Sequence, residues 1–211
     1  MRFDLVIFDC DGVLVDSESI VNRLFVELVA MDGVVLDEEV TLAELTGSAL
    51  AQRMQIITAT HGWVPGPEFT TNFDARLAER VGAGLSENPG VSAVLAGLPI
   101  RRCVASNGKR KEMRLRLEAA RLLGEFEHIF SVEDVARPKP APDIFLHAAK
   151  TLAVSPARCA VVEDSAPGVA AARAAGMNVF GYTRITPRDR LAALGATTFE
   201  DMAALLPLLL S

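Results

Sequence analysis

The chain has 211 residues, half of them hydrophobic and 23% charged, which is typical of one large folded domain or one domain with an insert. Its net charge of −6 argues against a general nucleic-acid binder, because phosphate backbones select basic surfaces. The opening residues carry acids too early for a secretory signal peptide, and no apolar run reaches the roughly 18 residues of a transmembrane helix. We expect a cytoplasmic protein with no nucleic-acid or membrane partner, either a monomer or a weak homodimer.

The first predicted element is a strand at residues 3–9, "FDLVIFD", whose apolar run is typical of burial on both faces. Residues 17 to about 84 then show apolar positions at helical spacing and no convincing strand. Pro89 and Gly90 break any helix that follows this segment. The sequence therefore predicts an all-helical cap, residues 16–84, inserted after the first strand.

The rest of the chain alternates between strand and helix patterns. Four more apolar runs predict strands, at residues 101–106, 128–131, 159–164 and 177–183. Helical patterns lie between or after them, at residues 109–123, 140–154 and 167–177. Such alternation predicts an α/β fold, a Rossmann-like parallel sheet core with helices on both faces. This core comprises residues 1–15 and 85–211 in the prediction.

The cysteines, Cys10, Cys103 and Cys159, are odd in number and all lie in apolar, strand-like segments. This context predicts buried, reduced thiols, with a metal site or a disulfide framework as the alternatives.

Polar side chains follow several of the predicted strands at the point where each strand ends. They are Asp9 and Asp11, then Ser106, Asn107 and Gly108, and finally Glu163 and Asp164. Lys139 stands between two prolines just before a predicted helix. Taken singly, such residues often cap helices, lie in solvated turns or carry surface charge. Together they indicate a single site, because ligands of open α/β sheets bind beyond the carboxyl ends of the strands.

The chemistry of this set points to a metal-assisted phosphate site. Clustered carboxylates suit a hard divalent cation, and Mg²⁺ binds one or two carboxylates together with water and a substrate phosphate. The cation would offset the repulsion between Asp9 and Asp11 and let a carboxylate approach a phosphate dianion. Ser106, Lys139 and the N–H groups of the following helix would hold the phosphate oxygens. We therefore predict phosphoryl transfer, catalysed by positioning of the reacting groups and neutralisation of their charge.

Four segments also resemble, in order, the four motifs of the haloacid dehalogenase superfamily, in its phosphatase branch with a small helical cap. The segments are "FDCDGVLVDSE", "VASNG", "KPAPDIF" and "VVEDSAPGVAAARAAGM". Their wording looks most like that of bacterial sugar-phosphate phosphatases, including the 6-phosphogluconate phosphatase group. The resemblance implies a phosphoric monoester hydrolase that acts on a small phosphorylated metabolite, such as a sugar or sugar-acid phosphate.

The resemblance also implies roles for individual residues. Asp9 would be the nucleophile that forms an aspartyl-phosphate, and Asp11 would protonate the leaving oxygen and then activate water. Mg²⁺ would be held by Asp9, the Asp11 backbone carbonyl and Asp164, with Glu163 binding directly or through water. An acid at position 11 favours phosphatases over dehalogenases, because a halide leaves without a proton.

The remaining implied roles concern phosphate and substrate binding. Ser106 and Lys139 would grip the phosphoryl oxygens, within the same loops as Asn107 and Gly108. Residues 12–16 would form the hinge of the cap.

In the cap, a loop that contains Thr46 and Gly47 is expected to reach the substrate. The resembling phosphoglucomutases carry a basic residue where this chain has Thr46, an arginine at Leu50 and a histidine at Val21. Arg53 is either a positive charge for an anionic substrate or a surface arginine.

Three other interpretations stay open at this point. A sugar phosphomutase of the β-phosphoglucomutase type would use the same core, although the departures in the cap disfavour it. A non-enzymatic phospho-aspartate signalling module has similar acids but half this length and no helical insert. A catalytically silent binding protein is disfavoured because every expected catalytic position is filled.

Overall fold

The computed structural model describes residues 2–36, 45, 48 and 50–211. The chain divides into two compact units. The core unit comprises Met1–Asp16 and Ser86–Ser211, and the cap unit comprises Ser17–Leu85. Each boundary lies one residue beyond the position expected from the sequence. None of the described helices has the length and apolarity needed to cross a membrane.

A parallel sheet forms the centre of the core unit. Among the described residues its strands are β1 Leu5–Phe8, β2 Arg101–Ala105, β3 Ile129–Phe130, β4 Cys159–Glu163, β5 Asn178–Tyr182 and β6 Thr197–Phe199. Their order is β3-β2-β1-β4-β5-β6, and every neighbouring pair is parallel. The predicted Rossmann-like fold is confirmed. Because the order reverses between β1 and β4, a ligand crevice is expected beyond their carboxyl ends.

Helices follow the strands in the core unit. They are α4 Val91–Gly97, α5 Arg110–Ala119, α6 Asp143–Thr151, α7 Ala166–Ala174, α8 Arg188–Ala193 and α9 Leu205–Leu210. In β1 every side chain is buried, and Leu5 and Ile7 share a hydrophobic cluster with Phe145 of α6 and Val169 of α7. Alternate side chains of a strand point to opposite faces, so both faces of β1 are covered. This explains the unbroken apolar run in the sequence.

The sequence analysis missed four elements of the core unit: β6, α4, α8 and α9. The strand is three residues long and includes two threonines that are not fully buried, so it lacks an apolar run. The helices have seven, six and six residues, which is too short for helical periodicity to stand out. The predicted strand at 128–131 is also shorter, because only Ile129–Phe130 pairs with β2.

The three cysteines are free and buried, which confirms the expectation of reduced thiols over a disulfide framework.

The described helices of the cap unit are α1 Ser17–Met31, α2 Leu50–His61 and α3 Phe69–Ala83. Their own hydrophobic cluster is centred on the rings of Phe25, Trp63 and Phe69, which meet edge to face. Trp63 Nε1 donates a hydrogen bond of 3.0 Å to Asp32 Oδ2, so this buried indole is satisfied. The cap unit thus has a core separate from that of the sheet.

The loop after β1 is held by Asn88, which is fully buried. Its Nδ2 donates to the carbonyl oxygens of Gly12 and Val13, at 2.8 and 2.9 Å. Arg184 donates to Asn88 Oδ1 and, at 2.8 Å, to Asp16 Oδ2. These bonds order the segment in which the sequence predicts a hinge, and the hinge itself stays a prediction.

Candidate active site

Asp9 follows β1 directly, and its carboxylate meets Lys139 and Glu163. Lys139 Nζ donates to Asp9 Oδ1 and to Glu163 Oε1, both at 2.6 Å, and to the carbonyl oxygen of Ala105 at 2.9 Å. An ammonium group has three donors, so all of those on Lys139 are used. All three charged side chains are buried. These three residues are separated by 24 to 154 positions in the sequence. They meet at the place where the sequence predicts a site.

The side chain of Asn107 holds Lys139 in place. The backbone N–H of Lys139 donates to Asn107 Oδ1 at 2.9 Å, and Asn107 Nδ2 donates to the Lys139 carbonyl at 3.2 Å. The predicted role of Asn107 was phosphate binding, whereas the structure engages both ends of its amide with the Lys139 backbone. This pair of bonds links the loop after β2 to the loop before α6.

Glu163 is the most enclosed acid of the site. Its Oε2 accepts hydrogen bonds of 2.9 to 3.0 Å from the N–H groups of Asp164 and Ser165 and from the Ser165 hydroxyl. A Cβ at Gly168 would lie 1.7 Å from Glu163 Oε1, so only glycine fits there. With Lys139 on its other oxygen, Glu163 is bonded on both sides and anchors the lysine.

Asp164 faces the loop after β1. A Cβ at Gly12 would lie 2.0 Å from Asp164 Oδ2, and Gly12 has a φ of +78°, in the left-handed region. A side chain at position 12 would therefore be strained and would displace Asp164. The glycine after Asp11 in the sequence is explained by this close approach.

The site carries more negative than positive charge. The pKa of Asp9 is raised to about 7, mainly by burial; Lys139 opposes the rise, and the charges of Glu163 and Asp11 add to it. Burial and the charges of Glu163 and Asp9 raise the pKa of Asp164 well above its usual value. For Lys139, burial acts to lower the pKa, but the carboxylates of Asp9 and Glu163 outweigh it and raise the pKa. The surplus of anions is the dominant electrostatic feature.

This surplus fits a divalent cation. One carboxylate oxygen from each of Asp9, Glu163 and Asp164 lies within 4.8 Å of the others. In the part of the chain that the structure describes, Lys139 is the cation bonded to this cluster, which leaves a net charge of −2 among the four groups when all are ionised. Carboxylate oxygens are the ligands that Mg²⁺ prefers. The donor set and the charge therefore suit the predicted ion.

Asp11 has a partner that the sequence analysis did not identify. Arg116 of α5 donates to Asp11 Oδ2 at 2.8 Å. The other oxygen, Asp11 Oδ1, is shielded from solvent and lacks a hydrogen-bond partner among the described residues. The sequence could suggest that an arginine of α5 lies near the site. It could not show which one, because α5 carries Arg110, Arg114 and Arg116.

Ser106 directly follows β2, where it is buried, and its N–H donates to the Phe130 carbonyl of β3. The N–H of Gly108 approaches the Ser106 hydroxyl at 3.4 Å, which is a weak hydrogen bond. The hydroxyl therefore has capacity for another partner. Its position next to Ala105, whose carbonyl binds Lys139, places it beside the carboxylate cluster.

The predicted cap residues have different outcomes. Thr46 and Gly47 lie outside the described residues. The surface interpretation of Arg53 is wrong, because its side chain is fully buried. Arg53 donates to Glu18 Oε2 at 2.9 Å, to the Ser48 carbonyl at 2.7 Å, and to Asn22 Oδ1. The spacing of residues on α2 could not show that Arg53 would be buried against polar partners from other segments.

Known proteins are similar to this chain over most of its length. Residues 3–176 match the haloacid dehalogenase-like hydrolase family. The chain is 32% identical to the 6-phosphogluconate phosphatase of Escherichia coli K12 over 97% of this chain and 93% of that protein. It is 31% identical to hexitol phosphatase A of the same organism, over 90% and 88% of the two chains.

A solved structure supports the same assignment. A haloacid dehalogenase family hydrolase from Deinococcus radiodurans R1, with bound phosphate and sodium, is 31% identical and superposes with a TM-score of 0.82. The match covers 97% of this chain and 93% of that one. The chain belongs to the haloacid dehalogenase-like hydrolase family, and the enzyme class expected from its motifs, a phosphatase, is confirmed.

Proposed function

We propose that this protein is a Mg²⁺-dependent phosphatase that hydrolyses a small sugar or sugar-acid phosphate through an aspartyl-phosphate. The observation that carries the proposal is the buried cluster of Asp9, Glu163 and Asp164 around Lys139 at the carboxyl ends of β1 and β4. An unneutralised cluster of this kind is unfavourable in a buried site. A bound divalent cation would neutralise it and let an anionic phosphate approach.

Asp9 is the nucleophile in this proposal. Its carboxylate stands at the crevice end of β1, and Lys139 orients one oxygen while the other is left to attack phosphorus. Mg²⁺, held by Asp9, the Asp11 carbonyl and Asp164, with Glu163 beside it, would supply positive charge that keeps Asp9 ionised and neutralises the phosphate. Lys139 and Ser106 then offer donors to the phosphoryl oxygens, for which Lys139 exchanges one of its present bonds.

Asp11 acts as acid and then as base. In the first half-reaction the Asp9–phosphorus bond forms, the bond to the leaving oxygen breaks, and Asp11 gives its proton to that oxygen. In the second, Asp11 takes a proton from the water that hydrolyses the aspartyl-phosphate, which regenerates both acids. Water is therefore the phosphoryl acceptor, and this distinguishes a phosphatase from a mutase.

The substrate class is inferred from the relatives. The E. coli proteins named above act on 6-phosphogluconate and on hexitol phosphates. Both are phosphate monoesters of a polyhydroxylated six-carbon chain, whose leaving group is a poorly acidic alcohol. We infer the same class here, and the mutase alternative is disfavoured by Val21, Thr46 and Leu50, which replace the residues that phosphoglucomutases use. A cytoplasmic location and a monomeric or weakly dimeric state stay predictions.

The proposal is tested by a substrate panel assayed with and without metal. Purified protein is offered 6-phosphogluconate, hexitol 6-phosphates, hexose 6-phosphates and 4-nitrophenyl phosphate, and phosphate release is measured as kcat/KM. We expect the highest value for a sugar-derived phosphate, complete loss in EDTA, and recovery with Mg²⁺. Hydrolysis that persists in EDTA would contradict the metal, and phosphate transfer to a second sugar would favour the mutase.

A further inference from the structure

The side chain of Arg116 reaches Asp11 from α5. Arg116 lies in the second turn of α5, and helical side chains point toward the N-terminus of their helix. Its guanidinium passes over Gly108: a Cβ at Gly108 would lie 3.6 Å from Arg116 Nη1. This is an ordinary contact distance, and the guanidinium continues to Asp11 Oδ2, to which it donates at 2.8 Å. The side chains of Arg116 and Asp11 are 18% and 34% exposed, so the arginine is the more shielded partner of a half-buried pair.

This contact makes the two oxygens of Asp11 unequal. Oδ2 accepts a hydrogen bond from a permanently charged donor, whereas Oδ1 has no hydrogen-bond partner within the described part of the chain. The arginine therefore restricts the orientation of the Asp11 carboxyl group, and its charge stabilises the carboxylate that remains after a proton has left.

On the basis of the proposed phosphatase function, we propose that Arg116 is a positioning residue that orients the Asp11 carboxyl group for proton transfer to the leaving oxygen. In that step the Asp9–phosphorus bond forms, the phosphorus–oxygen bond breaks, and the proton of the Asp11 carboxyl group passes to the departing alkoxide. The electron pair stays on the Asp11 carboxylate, where Arg116 stabilises it. Arg116 itself does not touch the substrate.

Substrates with different leaving groups test this role. An alcohol needs a proton to leave, whereas 4-nitrophenolate leaves without one. We compare kcat/KM for 4-nitrophenyl phosphate and for the fastest sugar phosphate of the panel, because kcat/KM reports the steps up to departure of the leaving group and omits hydrolysis of the aspartyl-phosphate. The variants are Arg116→Met, Arg116→Lys and, as a matched control on the exposed side of α5, Arg114→Met.

We expect Arg116→Met to lower kcat/KM for the sugar phosphate by about 100-fold, within the range for general acid catalysis, and that for 4-nitrophenyl phosphate less than about 3-fold. Arg116→Lys should recover part of the loss, and Arg114→Met should behave as wild type. Equal losses on both substrates, no loss, or a faster Arg116→Met enzyme would overturn the inference. Failure of the wild type on every phosphate would overturn the proposed function itself, and with it this inference, before any Arg116 variant is measured.

Discussion

Two buried cations, one in each unit, show how a site differs from a structural ion pair. In the cap unit Arg53 binds the carboxylate of Glu18 together with the neutral oxygens of Asn22 and Ser48. In the core unit Lys139 binds two carboxylates, and a third, Asp164, lies within the same cluster. Both cations are buried.

The difference lies in the charge balance. Arg53 and Glu18 form one positive and one negative group, which is the arrangement that lets charges enter a protein interior. The Lys139 cluster keeps an excess of negative charge, and burial together with the neighbouring acids raises the pKa values of Asp9 and Asp164. A buried surplus of negative charge is stabilised by a positively charged ligand. The unbalanced charges of the Lys139 cluster therefore indicate a functional site, and the balanced charges of Arg53 and Glu18 indicate a structural ion pair.

The largest expected effect comes from Asp9→Asn. We expect kcat/KM to fall about 10⁴-fold or more, as when the nucleophile of another covalent enzyme is removed. Thermal stability in EDTA should be kept or raised, because the variant removes one of the surplus buried charges. Asp189→Asn on the exposed side of α8 is the control, and a variant at position 9 that retained substantial turnover would remove Asp9 as nucleophile.

Arg53→Met tests the balanced pair. The variant removes a fully buried guanidinium that bonds three oxygens, so the free energy of unfolding of the cap unit should fall by about 3 kcal/mol. Denaturation followed by the fluorescence of Trp63, the one tryptophan in the sequence and part of the cap core, measures this effect. Arg23→Met on the exposed side of α1 should cause little change. A loss under about 1 kcal/mol for Arg53→Met would contradict a structural role for the pair.

The smallest expected effect is a pH dependence that only the core unit should show. The folded-state pKa of Asp9 is raised from 3.8 to about 7, so between these values the folded chain binds a proton that the unfolded chain does not. Stability of the metal-free protein should therefore rise as pH falls from 8 to 5, by about 1 kcal/mol per pH unit between 7 and 5.

Thermal melting in EDTA across this pH range measures the slope, and Asp9→Asn should flatten it. Mg²⁺ should stabilise the protein more at pH 8 than at pH 5, because protons and metal compete for the same carboxylates. A slope of the opposite sign would mean that the buried acids are not in surplus.

The sequence alone indicated much of the site. Asp9, Asp11 and Asp164 end apolar strands, and a parallel sheet brings the ends of its strands to one edge. The chemistry of carboxylates near a lysine then pointed to metal and phosphate. The sequence did not predict the hydrogen-bond partners within the site. Asn107 binds the Lys139 backbone, and Glu163 binds the Lys139 ammonium group. A residue type shows that a group can form a bond, but not which partner it will meet.

What the sequence determined by itself is the alternation of strands and helices and the position of the acids at strand ends, because both follow from local periodicity. Only the tertiary structure decided that Arg53 is buried with Glu18 and that Arg116, rather than Arg110 or Arg114, reaches Asp11. These contacts span 35 and 105 residues along the chain. They depend on how the helices pack against the rest of each unit, and local sequence does not determine this packing.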